Sequence, residues 1–139
     1  MERAPSNEPS AGDKVTAATG AKIVVVDDSR IVLDLVTETL LKEGYQVIAV
    51  SNPFGFSNLL RREQPQLALV DVTMPALLGT QLVEIAVRAG GHDCRIVLYS
   101  DRPVIELAAM AQQCGADGFL QKDGDMRKLI HSVRTILRK

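Results

Sequence analysis

Lys22-Ile23-Val24-Val25-Val26-Asp27-Asp28 is the stretch that decides how this chain is read. Four consecutive β-branched apolar residues with no in/out alternation suit a strand covered on both faces. Two carboxylates follow where that strand must end. A buried parallel strand that stops on acidic residues asks what the neighbouring strands carry at the same end.

Working outward, the same unit recurs. Ile31, Val32, Leu35, Val36 and Leu40 fall at helical spacing after Asp28, and Gly44 closes that helix. Val47–Val50 is a second strand. Asn52-Pro53 predicts an N-cap with proline at the first helical position, opening a short helix through Leu59 and Leu60. Leu67–Val70 is a third strand, followed by a helix from about Thr80 carrying Leu82, Val83, Ile85, Ala86 and Ala89. Arg95–Tyr99 is a fourth strand, and a helix opening at Pro103 carries Val104, Leu107, Ala108 and Ala111 up to Gly115. Gly118–Gln121 is the last strand. Met126, Leu129, Ile130, Val133, Ile136 and Leu137 make the last helix the most clearly amphipathic in the chain.

Strands alternating with helices predict an α/β fold: a doubly wound, five-stranded parallel sheet between two helical layers, with right-handed crossovers. The common order for such units is 2-1-3-4-5, the flavodoxin-like (βα)5 arrangement, with its site at the carboxyl ends of the strands around the switch point. Residues 21–139 form that domain. Residues 1–20, rich in Ala, Ser, Thr, Pro and Gly and without periodicity, are expected to be a disordered leader.

Composition narrows the function classes. A net charge of −1 carries no basic surplus for nucleic acid or an anionic membrane, and the absence of Trp leaves few stacking platforms for bases. No apolar run approaches the roughly 20 residues of a membrane helix. Cys94 and Cys114 make no disulfide framework and lack zinc spacing with His92 or His131, so both read as free thiols in a reducing, cytoplasmic compartment.

The strand ends carry the chemistry. Asp27 and Asp28 follow the first strand, Asp71 the third, Ser100 the fourth and Lys122 the fifth. In the 2-1-3-4-5 order these strands are neighbours, so three carboxylates, a hydroxyl and an ammonium meet at one edge. Taken singly each has an ordinary explanation: a helix cap for Asp27-Asp28 or Ser100, a turn for Asp71, a solvated charge for Lys122. Their coincidence at adjacent strand ends does not. Mutual repulsion of the carboxylates is relieved by a hard divalent cation, and Mg²⁺ suits a site with few protein oxygens. Asp71 can then act as a carboxylate nucleophile toward phosphorus, with Lys122 offsetting charge on the transferring oxygens and Ser100 hydrogen-bonding one of them.

Asp27-Asp28, Asp71-Val72-Thr73-Met74-Pro75, Gly79, Ser100 and Lys122 together resemble the signature of bacterial two-component receiver (CheY-like) domains, over residues 21–139. The resemblance implies that Asp71 is the phosphoacceptor. It also implies that Asp28, Asp71 and the Thr73 backbone carbonyl bind Mg²⁺, with Asp27 reaching the ion through water. Ser100 and Lys122 would contact the phosphoryl group, and Ser100 and Phe119 would form the conformational switch. It further implies a histidine kinase or phosphotransfer protein as donor, and a downstream protein partner on the face of the fourth helix, fifth strand and fifth helix. Homodimerisation stays open, and neither nucleic acid nor membrane is an expected partner. The chemistry would be self-directed phosphoryl transfer and autodephosphorylation, so the chain is not expected to be an enzyme acting on outside substrates.

Two positions depart from the pattern. Lys122 is followed by Asp123 where the family has proline after a cis bond; the bond is either trans with a displaced loop, or cis and strained. Asp101 follows Ser100 and either burdens phosphorylation with an extra charge, faces water or caps the next helix. These positions support an alternative: a degenerate receiver acting as a phosphorylation-independent scaffold. A phosphohydrolase with an aspartyl intermediate would commonly need a second Asp at position 73, which is Thr, and flavin binding would set two aspartates against a phosphate.

Overall fold

The computed structural model describes residues 20–74 and 78–139. The leader expected over 1–20 lies, except for Gly20, outside the described residues, as does Pro75 of the Asp71 motif. The elements run β1 (Lys22–Val26), α1 (Arg30–Lys42), β2 (Gln46–Val50), α2 (Phe56–Glu63), β3 (Leu67–Asp71), α3 (Gly79–Ala89), β4 (Arg95–Ser100), α4 (Val104–Cys114), β5 (Gly118–Gln121) and α5 (Met126–Arg138). All strand pairs are parallel, in the order β2-β1-β3-β4-β5. This is the 2-1-3-4-5 sheet read from the sequence.

Alternate strand residues feed two cores, which is why the strands are apolar on both faces. Val24, Val26, Ala68, Val70, Ile96 and Leu98 pack with α2, α3 and α4. Ile23, Val25, Leu67, Leu69, Val97 and Tyr99 pack with α1 and α5. The central strands β1 and β3 are almost wholly buried, whereas β2, at an edge, is only partly so.

The helical faces differ from the sequence reading in ways that packing explains. On α1 the buried residues are Leu33, Val36 and Leu40, while Ile31 is 81% and Leu35 45% exposed. Five apolar residues spread over more than one stripe of the helix, and the sheet covers only one of them. The same limit leaves Ile85 and Ala89 of α3, and Val104 and Ala108 of α4, exposed. The Asn52-Pro53 cap is corrected too. Asn52 Oδ1 accepts from the Phe54 N–H at 2.9 Å, closing a turn, and α2 begins only at Phe56 after Gly55. Asn and Pro favour that turn as readily as a helix start. Gly115 does cap α4, at φ 85.

α5 starts as its sequence suggests. Asp125 accepts from the backbone N–H groups of Arg127 and Lys128 at 3.0 and 3.4 Å, satisfying two donors of the first turn. Asp125→Ala should therefore lower stability by about 1 kcal/mol in urea unfolding, and an unchanged midpoint would show that water replaces the cap.

Candidate functional site

The register aligns the strand ends. Val26 pairs with Val70, Asp71 with Tyr99, and Ser100 with Gln121, so Asp27, Asp71, Ser100 and Lys122 follow one another across the top of the sheet. β1 and β3 flank the point where the chain reverses its direction across the sheet, the place where this topology leaves a crevice.

Asp27 and Asp71 are buried and Asp28 is exposed, yet one oxygen from each lies within 4.8 Å of the others. Lys122 Nζ sits 2.6 Å from Asp27 Oδ2 and 3.3 Å from Asp71 Oδ1, tying β5 to β1 and β3. Asp27 is held from both sides: its Oδ1 accepts from the Ser29 N–H at 2.9 Å, and its own N–H donates to Val50 at 3.0 Å. The Lys122 ammonium also lies 5.2 Å from the Tyr99 ring centroid, a cation–π contact that fixes it from below. The sequence marks Tyr99 only as a strand residue; its place beside Lys122 follows from the β4–β5 register.

Burial raises the Asp71 carboxyl to about 6, and the Asp27 charge adds to the rise, against the pull of Lys122 and a backbone hydrogen bond from Thr73. At neutral pH Asp71 is thus still ionised for the most part, and readily neutralised. A site that raises a carboxylate in this way is one that a cation would relieve.

The donor set fits a hard divalent cation. Opposite ligands of an octahedral Mg²⁺ at about 2.1 Å are about 4.2 Å apart. A carboxylate cluster of the observed size is consistent with such an ion, and Asp27, Asp28 and Asp71 are the carboxylates that would hold it.

Ser100 is buried, and its Oγ accepts from the Arg102 N–H at 3.1 Å, which leaves the hydroxyl proton free to be donated. Its carbonyl accepts from the Lys122 N–H at 2.7 Å. Phe119 is partly buried against the α2–α3–α4 core, fronting a cleft of about 570 Å³ that it shares with Arg95, His131 and Ile136. Thr73 is exposed in the loop beyond β3.

No described peptide bond is cis, so Lys122–Asp123 is trans, and Lys122 reaches the carboxylates all the same. Asp123 turns toward α5: it accepts from the Asp125 N–H and from Lys128 Nζ, each at 3.0 Å, and these contacts hold its carboxyl below the ordinary value. Asp101 is exposed and does not cap α4, whose N-cap is Pro103. Away from the site, His92 closes α3, with Nε2 3.2 Å from the Ala86 carbonyl and Nδ1 accepting from the Cys94 N–H. Cys94 and Cys114 are buried free thiols.

The family model for the response regulator receiver domain matches residues 23–134. Among curated relatives, the transcriptional regulatory protein PcoR of Escherichia coli is 28% identical over 118 residues, 85% of this chain and 52% of PcoR. Response regulator MprA of Mycobacterium leprae (strain TN) is 27% identical over 118 residues, again 85% of this chain and 51% of MprA. The chain therefore spans about half the length of the curated relatives it matches. A CheY-like receiver domain protein from Methanospirillum hungatei JF-1 superposes with a TM-score of 0.75 at 25% identity, over 85% of this chain and 94% of that one. The Vibrio cholerae chemotaxis protein CheY4, at 22% identity, shares the fold with the same TM-score, over 84% of this chain and 98% of that one. The sheet order, the acidic strand ends and these likenesses agree: the chain belongs to the response regulator receiver domain family of two-component systems.

Proposed function

We propose that this receiver accepts a phosphoryl group on Asp71 from a phosphohistidine of a histidine kinase or phosphotransfer protein, in a Mg²⁺-dependent reaction. The observation that carries the reading is the placement of Asp71, paired with Lys122 at 3.3 Å, among Asp27, Asp28 and Ser100 at one edge of the sheet. An Asp71 oxygen attacks phosphorus, the phosphorus–nitrogen bond of the donor breaks, and its electron pair returns to the imidazole. Lys122 Nζ balances charge on the phosphoryl oxygens and the Ser100 hydroxyl donates to one of them. A divalent cation held by Asp28, Asp71 and the Thr73 carbonyl, with Asp27 behind a water, would supply further charge neutralisation. Water later attacks phosphorus, releasing phosphate and restoring the carboxylate. The chemistry is self-directed, with no outside substrate turned over.

Signalling would follow from Ser100 and Phe119 rearranging together on β4 and β5, reshaping the α4–β5–α5 face for a protein partner or a second copy. Phe119 supports this because it is only partly buried where it packs against the α2–α3–α4 core. Among the described residues no helix is long and apolar enough to cross a membrane.

The test is intact mass after incubation with acetyl phosphate and Mg²⁺. Wild type should gain one phosphoryl group, and Asp71→Asn or EDTA should abolish the gain. No gain with wild type, even with a histidine kinase supplied, would leave the phosphorylation-independent scaffold as the reading to pursue.

A further inference from the structure

We infer that Arg102 is a second cationic contact for the anion carried on Asp71, reaching it from the loop that leaves β4. This rests on the phosphoacceptor reading above and deepens it. The Arg102 backbone is pinned at both ends: its N–H donates to Ser100 Oγ at 3.1 Å and its carbonyl accepts from Gln121 Nε2 at 3.0 Å. The side chain is the part free to move. Its Nη2 lies 3.4 Å from Thr73 Oγ1, two residues beyond Asp71, so the guanidinium bridges the loops that leave β3 and β4. Its Nη1 meets Glu106 of α4 only at 3.5 Å, and its Nε is shut off from solvent with no hydrogen-bond partner. A buried N–H without an acceptor costs free energy until one arrives. A guanidinium offers a planar fork that matches tetrahedral oxyanions.

Charge balance gives the same answer. A phosphoryl group on Asp71 brings close to two negative charges to a site that already holds Asp27 and Asp28. A divalent cation and Lys122 leave one negative charge over. Arg102 is the cation placed to offset it. Engaging the phosphoryl group would draw the guanidinium from Glu106 in the first turn of α4, whose Val104 and Ile105 are 49% and 85% exposed. The contact thus links the anion to the α4 surface.

Beryllofluoride with Mg²⁺, a tetrahedral phosphoryl mimic, tests this by titration calorimetry, with Mg²⁺ alone titrated in parallel. Arg102→Gln should bind beryllofluoride about tenfold more weakly, Arg102→Lys should recover part of the loss, and Glu106→Gln should bind at least as tightly as wild type. Mg²⁺ affinity should not change in any of the three. Equal beryllofluoride affinity in wild type and Arg102→Gln would overturn the contact, and so would an equal loss of Mg²⁺ affinity, which marks a merely structural role. Wild type that binds Mg²⁺ but no beryllofluoride would instead overturn the phosphoacceptor reading, and this contact with it.

Discussion

Asp71→Asn should make the protein more stable, by about 3 kcal/mol at pH 7.5 in EDTA. Burial lifts the Asp71 carboxyl from its ordinary 3.8 to about 6, with the Asp27 charge adding to the rise. A carboxyl with a raised folded-state value binds more protons folded than unfolded across that interval. Stability is therefore full below 3.8, declines as pH rises through the interval, and is lowest above 6. The distance from 3.8 to about 6 corresponds to about 3 kcal/mol. Asparagine keeps the shape and removes the charge. It also strands nothing, because Lys122 retains Asp27 at 2.6 Å. The gain should shrink toward zero at pH 4, where the wild-type carboxyl is protonated. Urea unfolding at the two pH values measures it. Equal stability of the two proteins at pH 7.5 would mean that the site already satisfies the Asp71 charge without a cation. Adding Mg²⁺ should stabilise wild type by mass action and leave the variant unmoved. The residue proposed to carry function is thus one the fold holds at a cost.

The contrast between what was legible in the sequence and what was not has a physical pattern. Sheet order and strand identity were readable because a strand buried on both faces must be apolar throughout, as Ile23–Val26 and Leu67–Val70 are. The site followed, since parallel order alone puts Asp27, Asp71, Ser100 and Lys122 at adjacent ends. Helix faces were less legible. Ile31 and Leu35 look like core by spacing, but which stripe meets the sheet is set by the crossover geometry and not by the helix's own sequence. Arg102 and Tyr99 carry no mark in the sequence because their contacts exist only across strands: Arg102 touches Thr73 on another loop, and Tyr99 lies beside Lys122 through the register. A lone Arg in a loop carries no periodic signal. The trans Lys122–Asp123 bond was likewise undecidable, since Asp123 finds its partners on α5.

Gly79→Ala should destabilise the protein by about 3 kcal/mol, although the same change inside an ordinary helix is favourable by up to about 1 kcal/mol. Gly79 opens α3 immediately beneath the end of β3, and its N–H donates to the Val72 carbonyl at 2.8 Å. A Cβ there would stand 2.0 Å from the Asp71 carbonyl oxygen and 2.8 Å from both the Asp71 carbonyl carbon and the Val72 Cα. All three are backbone atoms, so no rotamer change gives way. Either α3 withdraws from the sheet, uncovering Leu82 and Val83, or the end of β3 is pushed aside with Asp71 on it. Gly118→Ala is the internal control, because a Cβ on that glycine meets nothing within 4 Å. Thermal unfolding should therefore separate the two alanine variants widely, with Gly118→Ala close to wild type. Where Gly79→Ala remains folded, its gain of phosphoryl mass from acetyl phosphate should also fall, since the clash bears directly on the proposed acceptor's own peptide unit. A Gly79→Ala protein as stable as wild type would show that α3 can tilt without disturbing β3, and the close packing beneath Asp71 would then be incidental to holding that residue in place.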